Sequence, residues 1–282
     1  MEISGENTGN NNDEFIEIKA YAKLNLGLEV VEKRRDGFHN LKSVMQAIGI
    51  YDIIRITKSE KGKSALTGAI VCEQEKNLAY LARKEIERAT GESLECIIDV
   101  QKTIPISAGL GGGSSDAAAV LTGLNHLYNL CIPDSELSAM GGEIGSDVPF
   151  FIKNMSPAIA EGKGNVLFSY LEKTSRFYIV ARPHRRISTS EAFNEYDETG
   201  KSFLELAIEK VPGISGMLSF FETQTQIFGM SGTGPSLYAG FESYEGAEKA
   251  LSALPKGVSG FNGDIFLSQA LPCTYQIIAS NF

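Results

Sequence analysis

The sequence predicts an α+β protein folded in two lobes. Its 282 residues exceed the usual size of a single domain. In both halves of the chain, stretches with the period-two alternation of strands stand beside stretches with helical spacing. No fixed-period repeat and no long Pro- or Ser-rich linker divides the halves, so we expect them to pack closely. We assign residues 1–14 to a disordered tail, 15–155 to an N-terminal domain and 156–282 to a C-terminal domain.

Alternating apolar and polar side chains predict antiparallel strands near the start of the chain. The alternation occupies three segments, 15–18, 21–31 and 50–57. Between the last two lies an Asp-Gly dipeptide at 36–37, which is typical of a tight turn. We therefore expect Phe38 and His39 at the tip of a loop.

Helices and further strands follow in a mixed order. Asn77 is suited to cap a helix over 77–90 that ends at Gly91, and a strand is expected at 94–100. An alanine-rich helix is predicted over 115–130 and another over 133–144. In the second half we predict strands at 177–183, 236–243 and 275–282, and helices at 202–211 and 245–254.

The composition restricts the partners. A formal net charge of -9 and a pI near 5.0 disfavour general affinity for nucleic acid or acidic membranes, which bind clustered positive charge. The polar opening MEISGENTGNNNDE lacks the apolar segment of a secretion signal, and no stretch has the roughly 18 apolar residues of a membrane span. We expect a cytoplasmic protein, either monomer or homodimer, with no nucleic-acid or membrane partner.

A glycine-rich loop stands at the entrance to the alanine-rich helix. Residues 107–116 read SAGLGGGSSD. Glycines let a ligand approach the main chain, and the first N–H groups of a helix attract anions, so this loop is suited to phosphate. It lacks the lysine of a P-loop, and no acidic residue about 20 positions on completes a dinucleotide-binding unit. A flexible turn with a serine N-cap would give the same local pattern.

Three ordered motifs resemble those of the GHMP small-molecule kinases. They are AYAKLNLGL at 20–28, PISAGLGGGSSDAA at 105–118 and MSGTGPSLYA at 230–239. The resemblance implies a two-lobed fold, with an N-terminal lobe like ribosomal protein S5 domain 2, a ferredoxin-like C-terminal lobe and the active site in the cleft between them. It also implies ATP and Mg²⁺ as cofactors, and a turn containing Gly232 and Gly234 that packs against the glycine loop.

Further segments narrow the resemblance to one branch of that family. These segments are 22–43, GSDVPFFI at 145–152 and AIAEGKG at 158–164. The branch phosphorylates a small-molecule alcohol that carries a cytidine diphosphate group, in the non-mevalonate route to isoprenoid precursors. Alternatives are a GHMP kinase for another alcohol, such as mevalonate, a mevalonate phosphate or homoserine, and a non-catalytic nucleotide-binding relative.

The resemblance assigns catalysis to two residues. Asp147 matches the aspartate that accepts the proton of the substrate hydroxyl. Lys23 matches the lysine that pairs with this carboxylate and polarises the hydroxyl. An ordinary strand lysine and a turn or N-cap aspartate are the alternatives.

Other matched positions would bind the nucleotide. The loop residues that the resemblance assigns to phosphate binding are Gly109, Leu110, Gly111, Gly112, Gly113, Ser114 and Ser115. We assign Ser115 to Mg²⁺, although either serine of the pair could meet the metal. Asn77 and Lys102 match positions near the adenine pocket, but a helix N-cap and a surface lysine would explain them as well.

A last group would bind the cytidine end of the substrate. Phe38, His39 and Phe193 match an aromatic pocket for the base, with Thr189 beside it, and Asn25 matches a contact with the substrate's polar backbone. The basic cluster at 182–186 has no assigned role, because such runs are often solvated faces. The chain departs from the family at 202–205, where Ser-Phe-Leu-Glu replaces Asn-Asp-Leu-Glu.

Overall fold

The computed structural model describes residues 14–69, 72–172, 174–254, 258 and 260–282. The predicted disordered tail, apart from its last residue, lies outside the described residues. The strands are β1 (Phe15–Lys33), β2 (His39–Lys58), β3 (Ala65–Gly68), β4 (Cys96–Gln101), β5 (Ala158–Gly162), β6 (Val166–Ser169), β7 (Phe177–Pro183), β8 (Phe228–Met230), β9 (Leu237–Phe241), β10 (Gly263–Leu271) and β11 (Tyr275–Asn281). The α-helices are α1 (Leu78–Thr90), α2 (Gly112–Leu127), α3 (Asp134–Ile144), α4 (Val148–Lys153), α5 (Thr189–Thr199), α6 (Phe203–Lys210), α7 (Ile214–Gln224) and α8 (Tyr244–Ser252).

β1 and β2 form a long antiparallel hairpin. The predicted alternation is confirmed at the start of β1, where Ile16, Ile18 and Ala20 are fully buried and residues 15, 17 and 19 are only partly covered. The expected short strand at 50–57 is wrong in length, because β2 already begins at His39. Register shifts interrupt the pairing of β1 with β2 after Tyr21. At such irregularities buried and exposed side chains no longer alternate strictly, so the sequence pattern does not reveal the strand there.

The sheet runs through both halves of the chain. Its main path is β11-β1-β2-β10-β7-β9-β8, with β4 and β5 pairing to β2. Strands from the end of the chain therefore join the N-terminal part of the sheet: β11 pairs with β1, and β10 meets β2 at Leu271 opposite Ala47. The mixture of strands and helices confirms the predicted α+β class, whereas the division at residue 155 stays a prediction.

Three apolar clusters support this architecture. The first lies between the N-terminal strands and α1 and α2, with Ile56 and Leu121 fully buried in it. The second packs β7 and β9 against the C-terminal helices around Phe221. The third joins the two halves, because Leu110 of the glycine loop is buried together with Tyr178 of β7. The loop is therefore anchored at the junction of the lobes.

The helix predictions succeed where local capping signals are strong. Asn77 caps α1 by accepting a hydrogen bond from the N–H of Ala79 at 2.9 Å, and Gly91 ends the helix with a φ of 71°. α2 begins at Gly112, three positions earlier than expected, and ends at Leu127 rather than 130. α4, α5 and α7 were not predicted.

Candidate active site

The glycine loop presents an open helix end. Gly109 and Gly111 have φ values of 74° and 73°, which a residue with a side chain rarely adopts. Gly111 is the N-cap of α2 and has no side chain to offer, so among the described residues no N-cap side chain satisfies the first N–H groups of the helix. The N–H of Lys23 donates to the carbonyl of Leu110 at 2.9 Å and ties the loop to β1.

A second turn, residues 231–236, packs against the glycine loop. Ser236 Oγ donates to the carbonyl of Ala108 at 2.5 Å, and Ser231 Oγ lies 3.4 Å from the carbonyl oxygen of Gly109. Ser231 Oγ also accepts from the N–H of Asn25 at 3.0 Å. The three motifs that stand far apart in the sequence therefore meet at one point, as the resemblance implied.

A cavity of about 540 Å³ opens beside the loop. We call it the loop cavity, and it is lined by Asn77, Leu78, Lys102, residues 105–114, Asp116, Arg186 and Thr189, among others. It brings together most of the residues predicted to bind the nucleotide. The exception is Ser115, whose hydroxyl is buried and donates to the carbonyl of Tyr21 at 2.8 Å. Its neighbour Ser114 is the serine that lines the cavity.

Lys23 and Asp147 lie against each other in an adjoining space. Lys23 Nζ is 3.3 Å from Asp147 Oδ2, and the two side chains are 5% and 30% exposed. Asp147 stands at the N-cap of α4, but its side chain makes no cap hydrogen bond. The N-cap alternative therefore does not account for this carboxylate, which is directed to the lysine.

The pair lines a second cavity of about 250 Å³, the central cavity. Asn25, Gly109 and Gly111 share it, so it lies between the loop and the pair. Asn25 Oδ1 is buried without a hydrogen-bond partner among the described residues. Such an atom is costly to bury unless a ligand donates to it.

A third cavity of about 700 Å³, the ring cavity, collects the predicted aromatic residues. His39 stacks on Phe193 with ring centroids 4.9 Å apart and an interplanar angle of 19°. Phe38 lies at the rim, 58% exposed, and Lys163 Nζ is 4.0 Å from its ring centroid. Thr189, the first residue of α5, lines all three cavities and marks their junction.

Lys102 is not the surface lysine that was the alternative to a contact near the adenine. Its side chain is only 11% exposed, and Nζ lies 2.6 Å from Asp52 Oδ2 and 2.7 Å from Asp116 Oδ2. Burial is the main cause that raises the pKa of Asp116 to about 8; Lys102 opposes the rise and nearby Asp52 adds to it. The Lys102 ammonium is therefore held beside the loop, between the carboxyl groups of Asp52 and Asp116. Asn77 likewise lines the loop cavity while its Oδ1 is occupied by the α1 cap.

The basic residues of the cluster at 182–186 differ in what they contact. Arg182 and His184 both bond Asp264, at 3.1 and 3.3 Å. Arg186 has no ion-pair partner in the described part of the chain and lines the loop cavity. Arg185 is exposed and lines none of the three cavities. Of this cluster, Arg186 is thus the residue that lines the candidate site, and the sequence had left its role open.

Sequence reasoning missed several residues of the site. Lys163 lines the central and ring cavities and lies 3.1 Å from Asp36 Oδ2. It stands inside AIAEGKG, a segment that the resemblance contained without assigning it a role. Asp116 and Asp52 carry no sequence signal, because a lone aspartate in a helix or strand is ordinarily solvated. At 202–205 the departure from the family forms a capping box between Ser202 and Glu205 at the start of α6.

Comparison with known proteins decides the family. The family described as GHMP kinases N terminal domain matches residues 77–154. The 4-diphosphocytidyl-2-C-methyl-D-erythritol kinase of Clostridium botulinum (strain Alaska E43 / Type E3) is 30% identical over an alignment covering 91% of this chain and 100% of that protein. The chain belongs to the 4-diphosphocytidyl-2-C-methyl-D-erythritol kinase family.

Two further members support the assignment. The 4-diphosphocytidyl-2-C-methyl-D-erythritol kinase of Caldicellulosiruptor bescii is 36% identical, over 73% of this chain and 70% of that protein. A crystal structure of 4-(cytidine 5'-diphospho)-2C-methyl-D-erythritol kinase has a TM-score of 0.71 and 27% identity, covering 90% of this chain and 98% of that one. The resemblance inferred from the motifs and the two-lobed GHMP kinase fold are both confirmed. No helix in the described ranges is long and apolar enough to cross a membrane.

Proposed function

We propose that this protein transfers the γ-phosphate of ATP to the 2-hydroxyl of 4-diphosphocytidyl-2-C-methyl-D-erythritol, a step in the formation of isoprenoid precursors. The observation that carries the proposal is the Lys23–Asp147 contact of 3.3 Å in the central cavity, with the glycine loop on one side and the aromatic pocket on the other. Family membership supports both the donor and the acceptor.

The glycine loop binds the phosphates of ATP. The uncapped N–H groups at the start of α2 donate to phosphate oxygens, and the helix dipole adds about half a positive charge there. Arg186 supplies a full positive charge from the C-terminal half. These groups let a protein of net charge -9 bind a triphosphate. Asn77 and Lys102 border the same cavity on the side of the adenine.

Mg²⁺ fits the loop cavity through Ser114. This ion usually takes one or two protein oxygens and completes its shell with phosphates and water. Ser114 Oγ lines the cavity and lies 3.7 Å from the position that a Cβ on Gly145 would take, close to the segment bearing Asp147. The ion would offset charge on the transferring phosphoryl group. The assignment of Ser115 requires its hydroxyl to leave the carbonyl of Tyr21.

Asp147 and Lys23 act on the acceptor hydroxyl. Asp147 accepts the hydroxyl proton as the oxygen forms its bond to the γ-phosphorus, and the bond from that phosphorus to the β-phosphate oxygen breaks to release ADP. Lys23 stabilises the negative charge that develops on the acceptor oxygen. Asn25 Oδ1, unpartnered in the central cavity, accepts a hydrogen bond from a second hydroxyl of the substrate.

The cytidine end of the substrate occupies the ring cavity. Phe38 and Phe193 offer aromatic faces to the base, and His39 and Thr189 offer polar atoms. Lys163, between this cavity and the central one, lies on the route of the diphosphate. With its acidic charge, the protein acts on small molecules in the cytoplasm, as a monomer or homodimer, and not on nucleic acid or membranes.

An ATP-consumption assay across candidate alcohols tests the proposal. The panel contains 4-diphosphocytidyl-2-C-methyl-D-erythritol, mevalonate, its phosphates and homoserine, and ³¹P NMR identifies the product. We expect turnover with the cytidylyl compound alone. Turnover of another alcohol instead would make the protein a GHMP kinase of different specificity, and ATP binding without any turnover would make it a non-catalytic relative.

A further inference from the structure

A carboxylate from the C-terminal half clamps the histidine of the ring cavity. Asp197 lies on α5, one helical turn after Phe193. Its Oδ1 is 2.8 Å from His39 Nε2, and its Oδ2 is 2.6 Å from Lys33 Nζ. His39 and Lys33 are paired opposite each other at the end of the β1–β2 hairpin. Asp197 thus connects that hairpin to α5.

The imidazole is held on several sides. His39 stacks on Phe193, and Tyr196 contacts its ring edge-on at a centroid distance of 6.0 Å. The His39 side chain is only 5% exposed. Together with the bond to Asp197, these contacts restrict the orientation of the ring.

The bond to Asp197 also fixes where the ring proton lies. Hydrogen bonds from Lys33 and from His39 lower the pKa of Asp197, so its carboxylate is an acceptor only. His39 Nε2 is therefore the donor, and in the neutral ring Nδ1 is left as an acceptor. Nδ1 has no hydrogen-bond partner within the described part of the chain.

We propose that Asp197 is a positioning residue that fixes His39 with Nδ1 as a hydrogen-bond acceptor in the ring cavity, and thereby makes the pocket select cytosine over uracil. The inference rests on the proposed function, because it concerns the base of that substrate. Cytosine carries a 4-amino group that donates to such an acceptor. Uracil carries a 4-carbonyl oxygen, and two acceptors facing each other leave both unpaired.

Base selectivity is the kinetic test. The kcat/KM for the cytidylyl compound is compared with that for its uridylyl analogue in the wild type, Asp197→Ala and Asp197→Asn. We expect Asp197→Ala to lower the cytidine-to-uridine ratio by about tenfold or more, with the KM for ATP unchanged. Asp197→Asn keeps an acceptor oxygen and should be intermediate. A purely structural role would alter both substrates equally.

Two variants serve as matched controls. Glu198→Gln changes the next carboxylate on α5, which is exposed and has no partner within the described part of the chain. Lys33→Met removes the other contact of Asp197 but leaves its bond to His39. Both should retain most of the base selectivity. Equal selectivity in Asp197→Ala and in these controls would overturn the inference.

The proton position is read directly by NMR. The chain has 3 histidines, so His39→Gln assigns the imidazole signals in a long-range ¹H–¹⁵N spectrum. We expect the Nε2-protonated form in the wild type and a mixture of tautomers in Asp197→Ala. A wild-type ring protonated on Nδ1 alone would refute the inference. If the wild type phosphorylates no cytidylyl compound, the proposed function fails, while this spectrum still decides whether Asp197 sets the tautomer.

Discussion

Lys23 Nζ lies 3.3 Å from Asp147 Oδ2, and the side chain of Lys23 is packed against the glycine loop. A Cβ built on Gly111 would come within 2.9 Å of Lys23 Cγ. The lysine therefore contacts the phosphate loop with its stem and the carboxylate with its head. We therefore expect a substitution in the loop, at the lysine or at the carboxylate to disturb the other two.

Replacing Asp147 by Asn should abolish turnover and spare nucleotide binding. The amide cannot accept the hydroxyl proton, so we expect kcat to fall by about 10²–10⁴-fold, the usual contribution of a general base. Calorimetry with a non-hydrolysable ATP analogue should give an unchanged Kd. Asp134→Asn, an exposed carboxylate at the start of α3, is the control and should keep full activity. Residual turnover of Asp147→Asn near the wild-type rate would contradict the assignment.

Replacing Gly111 by Ala should damage the phosphate site more than a comparable glycine elsewhere. Both Gly111 and Gly91 have a left-handed φ, 73° and 71°, so an added Cβ strains both by about 1–2 kcal/mol. At Gly91 the Cβ meets nothing within 4 Å, whereas at Gly111 it meets Lys23 and Phe151, each at 2.9 Å. We expect kcat/KM for ATP to fall by more than about tenfold in Gly111→Ala alone. Similar kinetics for the two variants would argue against loop geometry as the cause.

Replacing Arg186 by Ala should weaken ATP specifically. A charge-assisted hydrogen bond contributes about 1.5–3 kcal/mol, so we expect the KM for ATP to rise by about tenfold or more. The KM for the alcohol should change little, because Arg186 lines the loop cavity alone among the three. Arg185→Ala removes the same charge one residue away, outside the three cavities, and controls for the overall field. Equal effects of the two variants would assign the result to net charge.

Replacing Asp116 by Asn should change how stability depends on pH. Burial raises the pKa of Asp116 to about 8, far above the usual value near 3.9 in an unfolded chain. The folded protein then binds the extra proton, so the contribution of Asp116 to the free energy of unfolding falls as pH rises from about 4 to about 8 and is level outside that window. Asn removes this titration. Across the window, the variant should therefore gain on the wild type by at most about 1.4 kcal/mol per pH unit.

Urea unfolding followed by circular dichroism at pH 5 and pH 8.5 measures this difference. Asp52→Asn is the contrasting variant, because Asp52 is fully buried and accepts from Lys102, from the N–H of Thr103 at 2.6 Å and from that of Ile104 at 2.8 Å. We expect it to cost about 3–5 kcal/mol. A pH-independent offset between Asp116→Asn and the wild type would show that Asp116 does not titrate in this range.

Local signals account for the parts of the fold that the sequence predicted. The Asn77 cap and the Gly91 stop delimit α1 from neighbouring residues alone. The start of α2 was missed because glycine is a poor helix former, whereas tertiary packing, with Leu110 anchored in the core just before the helix, accommodates Gly112 and Gly113 in it. α5 did carry a usable signal, since Ser188 caps it by accepting from the N–H of Glu191. α4 has only six residues, too few to show periodicity.

Local signals do not predict the contacts within the candidate site. Its ordered motifs pointed to Lys23 and Asp147 through resemblance, but no local pattern states that the two side chains touch. Asp197 and Asp52 could not be recognised from the sequence, because their roles depend on tertiary contacts. Asp197 contacts His39, and Asp52 contacts Lys102. Pairings across the two halves of the chain depend on tertiary packing, which residue spacing does not encode.

The pairing of β11 with β1 has a consequence for synthesis. The ribosome makes β1 long before β11, yet Phe15 pairs with Asn281 and Ala20 with Tyr275. Until β11 has left the exit tunnel of the ribosome, β1 therefore lacks this neighbour along one edge. A chain that terminates before β11 would leave this edge of β1 unpaired and open to pairing with neighbouring chains.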